Sequence, residues 1–289
     1  MTQNNANLCI LKSYSSLEEL LTKELLFSKN FLKRTLPKNY LSKEIREKDE
    51  LYIDQNILNR GFINPNSELG EIEVLNENDN YVAFNKPSGI HGHPHEYGET
   101  NTVLNYIRSN FCFEHLSFIQ KSSESTLLYR LDRDTSGVLI FAKNMNSYEE
   151  IRKSFSSATR EKQYLAIVDG KFDKEGEHFH DLVSSGEKGS KMKALKSSEK
   201  SVCIETLNLS YNEDENVSLV LVKLGKGVRH QIRCQLSAIG FPILGDSLYG
   251  GREEKRLFLH AYKYSFDSFS AESRQEKSFL RFFNLDSCL

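Results

Sequence analysis

The sequence has no excess of positive charge: 38 lysines and arginines stand against 40 aspartates and glutamates, for a formal net charge of -2 and a pI near 6.5. A bulk basic field for holding nucleic acid is therefore absent, and any such binding must rest on a local patch. Cysteine is sparse and unpatterned. The five residues at 9, 112, 203, 234 and 288 are odd in number and show no CxxC spacing, which suggests neither a disulfide framework nor a zinc site and points to a reducing cytoplasm. Nowhere do 18 apolar residues run together, and the opening MTQNNANLCI lacks a basic region followed by an apolar core, so neither a membrane span nor a secretory signal is expected. No internal repeat recurs at a fixed period. What is present is 38% apolar residues over 289 positions, enough for one large core or two domains.

After a polar tail of about a dozen residues, Ser15 and Ser16 each have a glutamate three positions on, Glu18 and Glu19, the signature of a capping box. Leu17, Leu20, Leu21 and Leu25 then recur at helical spacing, so a helix starts there. A second helix passes through Phe31 and Leu32, breaks near Pro37 and resumes around Leu41 to Ile45. The alternating run ELYID and the turn-rich RGFINPNSELG follow, so residues 15 to 70 read as a small helical unit plus a hairpin.

From Glu71 the pattern changes to short strand-like runs: EIEVL, YVAFN, GVLIFAK, QYLAIV, VCIETLNL, VSLVLVKL and RLFLHAYKYSF. Helices are expected at 101–110, 146–157 and 229–239. Strands outnumber helices without strict alternation of the two, which predicts an α+β fold with a mixed, largely antiparallel sheet flanked by helices and loops. The one biased stretch, GEKGSKMKALKSSEK at 186–200, sets five lysines against two glutamates; a run of this kind reads first as a solvated loop.

The most informative segment is YRLDRDTSGVLIFAK at 129–143, where a charged turn leads into an apolar strand. Taken alone, Asp132 pairs with Arg130 or Arg133 in a turn that Thr135, Ser136 and Gly137 close. It has company, however: NKPSG at 85–89 with His93 and Pro94 after it, REKQYLAIVDG at 160–170, GKGVRHQIRCQLSAIGFPILGDSLYG at 225–250, and LHAYKYSF at 259–266. Together these blocks, in this order, resemble the RluA family of pseudouridine synthases, over roughly residues 71–266.

The resemblance implies a pseudouridine synthase catalytic domain at 71–289 that acts on RNA. Such an enzyme breaks the bond from ribose to uracil nitrogen and rejoins the ring through carbon 5, with no cofactor and no metal. It implies that Asp132 is the catalytic carboxylate, attacking ribose or ring. Arg233 would be the cation that keeps it ionised and fixes its rotamer, since burial alone raises a carboxylate's pKa. Tyr164 matches the family's active-site tyrosine, able to stack on uracil and to assist proton transfer; on its own, a tyrosine among apolar residues reads equally well as core. Arg130 would brace the space left by an everted uridine. His230 and Gln231 complete the HQIR block beside the substrate, and Arg160 and Lys162, with the lysines at 188–200, are candidates for phosphate contacts. Gly245 and Asp246 read as a structural turn.

Residues 1–70 look like a degenerate copy of a small RNA-binding module shared with a ribosomal small-subunit protein, with Lys29, Lys33, Arg34 and Lys38 as its RNA face. The expected partner is RNA, with ribosomal RNA favoured and transfer RNA as the alternative, and the expected state is a monomer without membrane attachment. Two departures bear on substrate choice: Tyr129 stands where the family has histidine, and Val228 interrupts a polar run before HQIR. Two rival readings remain open in the sequence. His91, His93 and His95 would share one face of a strand and hold a metal, although Gly92 and Pro94 disfavour a strand there. Alternatively, the chain keeps the fold as an inactive RNA-binding factor, against which stands the retention of Asp132, Tyr164 and Arg233.

Overall fold

The computed structural model describes residues 5–24, 27, 29–54, 66–95, 99–111, 126–153, 160–197, 201–225, 227–266, 269–274 and 277–283. These fall into two compact units, Met1–Gly70 with His93–Thr126, and Glu71–Gly92 with Leu127–Leu289. Among the described residues no helix is long and apolar enough to cross a membrane.

In the first unit, strand β1 (Asn5–Cys9) pairs antiparallel with β2 (Glu50–Asp54), and between them lie helices α1 (Leu17–Lys23), α2 (Lys29–Thr35) and α3 (Lys38–Leu41). The capping box forms with one change of partner. Ser16 Oγ accepts the amide of Glu19 at 3.1 Å, while the Glu19 carboxylate reaches back to the amide and hydroxyl of Ser15, at 2.8 and 2.6 Å. Leu17, Leu20, Leu21, Leu32, Leu41, Ile45 and Leu51 close a small apolar core.

Two expectations for this unit are corrected. ELYID pairs with β1, inside the stretch read as a polar tail, and the other arm of the expected hairpin begins in residues that lie outside the described ones. Asn-rich NANLC has little strand propensity of its own, and the cross-strand ladder overrides it. The third helix starts just after Pro37 and ends at Leu41 where it was expected to begin, and Ile45 instead bridges Tyr14. Proline fixes φ at the helix entry and needs no amide donor there. Of the turn-rich RGFINPNSELG, residues 60–65 lie outside the described residues. Helix α4 (Val103–Asn110), read from sequence as part of the catalytic region, groups with this unit, with Val103, Leu104 and Ile107 fully buried.

The second unit is built on one sheet. Its strands are β3 (Val74–Glu77), β4 (Tyr81–Lys86), β5 (Ser136–Ala142), β6 (Arg160–Asp169), β7 (Gly176–Ser185), β8 (Lys191–Leu195), β9 (Val202–Asn212), β10 (Val217–Lys223), β11 (Leu259–Phe266) and β12 (Phe269–Glu272). Their order is β3-β4-β5-β11-β6-β10-β9-β7-β8, with β12 also on β11. Among the described pairs only β5 with β11 is parallel, so the sheet is mixed and largely antiparallel, as expected. The central strands SGVLIFA and VSLVLVK are buried almost throughout, which is why they read as continuous apolar runs. Helices α5 (Met145–Lys153) and α6 (Gln231–Ala238) match two of the expected helices, the far end of the first lying outside the described residues.

Strands β7 and β8 went unread. GEHFHDLVSS is half polar and mostly exposed or half-buried, and lysine-rich β8 reads as a solvated loop; together they form a hairpin at the sheet's edge. There an exposed strand carries its charges on purpose, since they discourage edge-to-edge association.

Candidate active site

Asp132 opens a tight turn immediately before β5, with the Thr135 amide donating to its carbonyl at 3.1 Å. The NKPSG block holds this turn in place. Lys86 is fully buried, yet its ammonium donates to the carbonyls of Pro87 (2.9 Å), Ile90 (2.8 Å) and Arg133 (2.8 Å), so its three N–H groups meet three acceptors. The Gly89 amide donates to the Arg133 carbonyl at 3.0 Å, Arg133 Nε donates to the Gly89 carbonyl at 2.9 Å, and Ser88 Oγ donates to the Asp134 carbonyl at 2.6 Å. Burial pushes the Lys86 ammonium down to about 7, against the pull of the Asp134 carboxylate.

Gly137, one turn on, has φ of +108°, and a Cβ there would lie 2.2 Å from the Ala261 carbonyl oxygen. Only glycine lets β5 approach β11 this closely. Ser136 anchors the same join: its Oγ sits 2.8 Å from His260 Nδ1 and accepts Arg256 Nη2 at 2.7 Å.

Arg233 comes from the first turn of α6, 101 residues downstream, and its Nη1 donates to Asp132 Oδ2 at 3.1 Å. The same guanidinium is gripped by a second carboxylate: Nε donates to Asp246 Oδ2 at 2.7 Å and Nη2 to Asp246 Oδ1 at 2.9 Å. Asp246 is 1% exposed and Asp132 26%, so one carboxylate is sealed and the other faces outward. Burial works against the guanidinium's charge, but the hydrogen bonds and charge of Asp246, followed by those of Asp132, leave its pKa raised. Asp246 also makes the turn expected of it, through the amides of Tyr249 and Gly251 on its carbonyl. Its hold on Arg233 had no sequence signal beyond a Gly-Asp pair, which turns account for equally well.

Tyr164 lies on β6, opposite Val222 of β10 and Ala261 of β11. Burial, then Tyr264 and the charge of Asp132, push its phenol well above the ordinary value, so it stays protonated. His230 Nε2 lies 3.9 Å from Asp132 Oδ2. Asp132, His230 and Arg233 are thus brought together, with Tyr164 on β6.

The other expected site residues are placed differently. Gln231 is buried and uses both ends of its amide inside the protein, Oε1 accepting the Val228 amide at 3.1 Å and Nε2 donating to the Cys203 carbonyl at 3.0 Å. Lys162 is 5% exposed, with its ammonium 5.2 Å from the Tyr264 ring centre and 5.7 Å from that of Tyr129, rather than out on a phosphate-binding surface. Tyr129 stacks on Tyr264 at 4.4 Å and donates its hydroxyl to the Val138 carbonyl at 2.6 Å, so the departure from histidine is absorbed into packing. Arg130, two residues before Asp132, is exposed. The side chain of Arg160 lies outside the described residues. Cys203 and Cys234 are free thiols. The rings of His93 and His95 lie 5.2 Å apart, and among the described residues no group of three or more His, Cys, Asp or Glu gathers as metal ligands.

The partly exposed Asp132 carboxylate, held by Arg233, lies on a mixed sheet whose architecture is shared with solved structures. The fold is that of the human RNA Pseudouridylate Synthase Domain Containing 1, with a TM-score of 0.60 at 24% identity, covering 76% of this chain and 90% of that one. The sequence profile described as RNA pseudouridylate synthase matches residues 80–238. Ribosomal large subunit pseudouridine synthase D of Borreliella burgdorferi is 30% identical over 233 residues, 78% of this chain and 71% of that protein. A Bacillus subtilis protein named "Uncharacterized RNA pseudouridine synthase YhcT" is 29% identical over 221 residues, 76% of this chain and 71% of that one. The chain belongs to the RNA pseudouridylate synthase family, RluA type, and is an RNA-modifying isomerase.

Proposed function

We propose that the chain converts a uridine of ribosomal RNA to pseudouridine, with Asp132 as the nucleophilic carboxylate acting on an everted nucleotide. The observation that carries this reading is the 3.1 Å bond from Arg233 to an outward-facing Asp132. A nucleophile must be ionised and oriented, and a guanidinium fixed by a second acid serves both needs without itself moving. Neutral Tyr164 stacks on the uracil and donates its hydroxyl, and exposed Arg130 fills the gap left in the RNA stack. His230 completes the pocket around the carboxylate.

The phosphate contacts come from Lys191, Lys193 and Lys196 on and just after β8, and from residues 1–70 acting as an RNA-binding module. Lys29, Lys33, Arg34 and Lys38 are all exposed there, as such a face requires. Ribosomal RNA is favoured because relatives from Borreliella, Zymomonas and Pseudomonas carry ribosomal large-subunit names. The enzyme works as a monomer in the cytoplasm. Pseudouridine mapping of total RNA from cells with and without the gene tests the assignment. Loss of one or a few sites in large-subunit RNA is expected, while losses confined to transfer RNA would replace the substrate.

A further inference from the structure

His230 is one of three non-glycine residues with positive φ among the described residues, at φ 53° and ψ 22°, and it starts α6 without a side-chain capping bond. Left-handed backbone is costly for a residue with a Cβ, and persists where the surroundings over-determine it. Both ring nitrogens are addressed. Nε2 faces Asp132 Oδ2 at 3.9 Å, and Nδ1 lies 3.0 Å from the Tyr249 hydroxyl. That hydroxyl in turn accepts the Met192 amide of β8 at 2.8 Å, and the Tyr249 carbonyl accepts Ser237 Oγ of α6 at 2.8 Å. Arg229 donates to the Gly189 carbonyl, tying the turn before α6 to the same hairpin.

These contacts fix where the protons sit. Burial holds the imidazole below its ordinary pKa, with Arg233 and Arg229 adding to the effect against Asp132, so the ring is neutral and carries one proton. A carboxylate offers only acceptors, so the proton belongs on Nε2. Nδ1 is then a lone pair, which the Tyr249 hydroxyl must satisfy as donor. Burial raises the phenol's pKa and keeps that proton available. Arg233 and His230 therefore both address Oδ2, and among the described residues no donor reaches Oδ1.

We propose that Tyr249 is a positioning residue that holds His230 as an Nε2–H donor to Asp132 Oδ2, leaving Oδ1 as the oxygen that attacks. On this proposal the ring turns to close the 3.9 Å gap, and the Tyr249 hydroxyl decides whether the nitrogen that arrives carries a proton. The inference rests on the reading of Asp132 as the nucleophile.

The test uses the full chain labelled with 15N-histidine, the His230 signal being assigned by its loss in His230→Gln. In the wild type the unprotonated nitrogen should be Nδ1; in Tyr249→Phe, which keeps the ring over Arg233, both tautomers should appear. The single-turnover rate on ribosomal RNA carrying tritium at uracil carbon 5 should fall about ten- to a hundredfold in Tyr249→Phe, with RNA affinity unchanged. His230→Gln keeps a donor and an acceptor and should retain more activity than His230→Leu. A wild-type ring protonated on Nδ1, or a Tyr249→Phe enzyme with wild-type tautomer or wild-type rate, overturns the inference. Activity in Asp132→Asn would instead overturn the parent reading, so the two failures are distinguishable.

Discussion

Arg233 gives two hydrogen bonds to Asp246 and one to Asp132, so its position is set by the buried acid and its charge is lent to the partly exposed one. Bidentate pairing fixes the plane of a guanidinium in a way that one bond does not.

The first consequence concerns Asp246. Asp246→Asn replaces one acceptor by an amide donor, frees Arg233 to turn, and should lower the turnover number about ten- to a hundredfold with little change in RNA affinity. Asp246→Ala leaves a buried guanidinium half-paired and should also destabilise the fold by about 3–5 kcal/mol in denaturant titration. Wild-type turnover in Asp246→Asn would remove Asp246 from the machinery.

Lys86 gives a pH signature. Its folded pKa of about 7 lies below the unfolded value of about 10.4, so between these limits the unfolded chain keeps a proton that the folded protein has lost. Stability from this site therefore rises with pH across that window, and below about pH 7 the burial cost of the ammonium is felt in full. Denaturation midpoints of wild type and Lys86→Met at pH 6, 7.5 and 9 check it. The gap in favour of wild type should widen by about 2–3 kcal/mol between pH 7 and 9, and a constant or shrinking gap contradicts it.

The two glycines beside the Asp132 turn should respond differently to alanine. Gly137→Ala meets the Ala261 backbone at 2.2 Å and should break the β5–β11 join, giving insoluble or unfolded protein. Gly89 has φ of +85° but open space around its Cβ position, so Gly89→Ala pays only the left-handed strain, about 1–2 kcal/mol. Equal melting temperatures for the two variants would refute the distinction.

Much of this was legible from the chain. Asp132, Tyr164 and Arg233 sit in motifs, and apolar runs such as VSLVLVK announce central strands because both faces are covered. What was missed has physical reasons. Asp246 looks like any Gly-Asp turn, since its second role depends on a guanidinium arriving from another element. Strands β7 and β8 are polar because they form an exposed edge, where the usual alternation fades. Gln231 and Lys162 were read as substrate contacts because polar residues in a functional motif suggest exposure. Their burial follows instead from an amide matched at both ends and an ammonium held over two aromatic rings.

The most direct measurement is tritium release from RNA labelled at uracil carbon 5, comparing wild type with Asp132→Asn. The substitution preserves shape and an oxygen for Arg233 while removing the nucleophilic charge. The account expects RNA binding to survive and release to vanish. Release by the variant at the wild-type rate would contradict it.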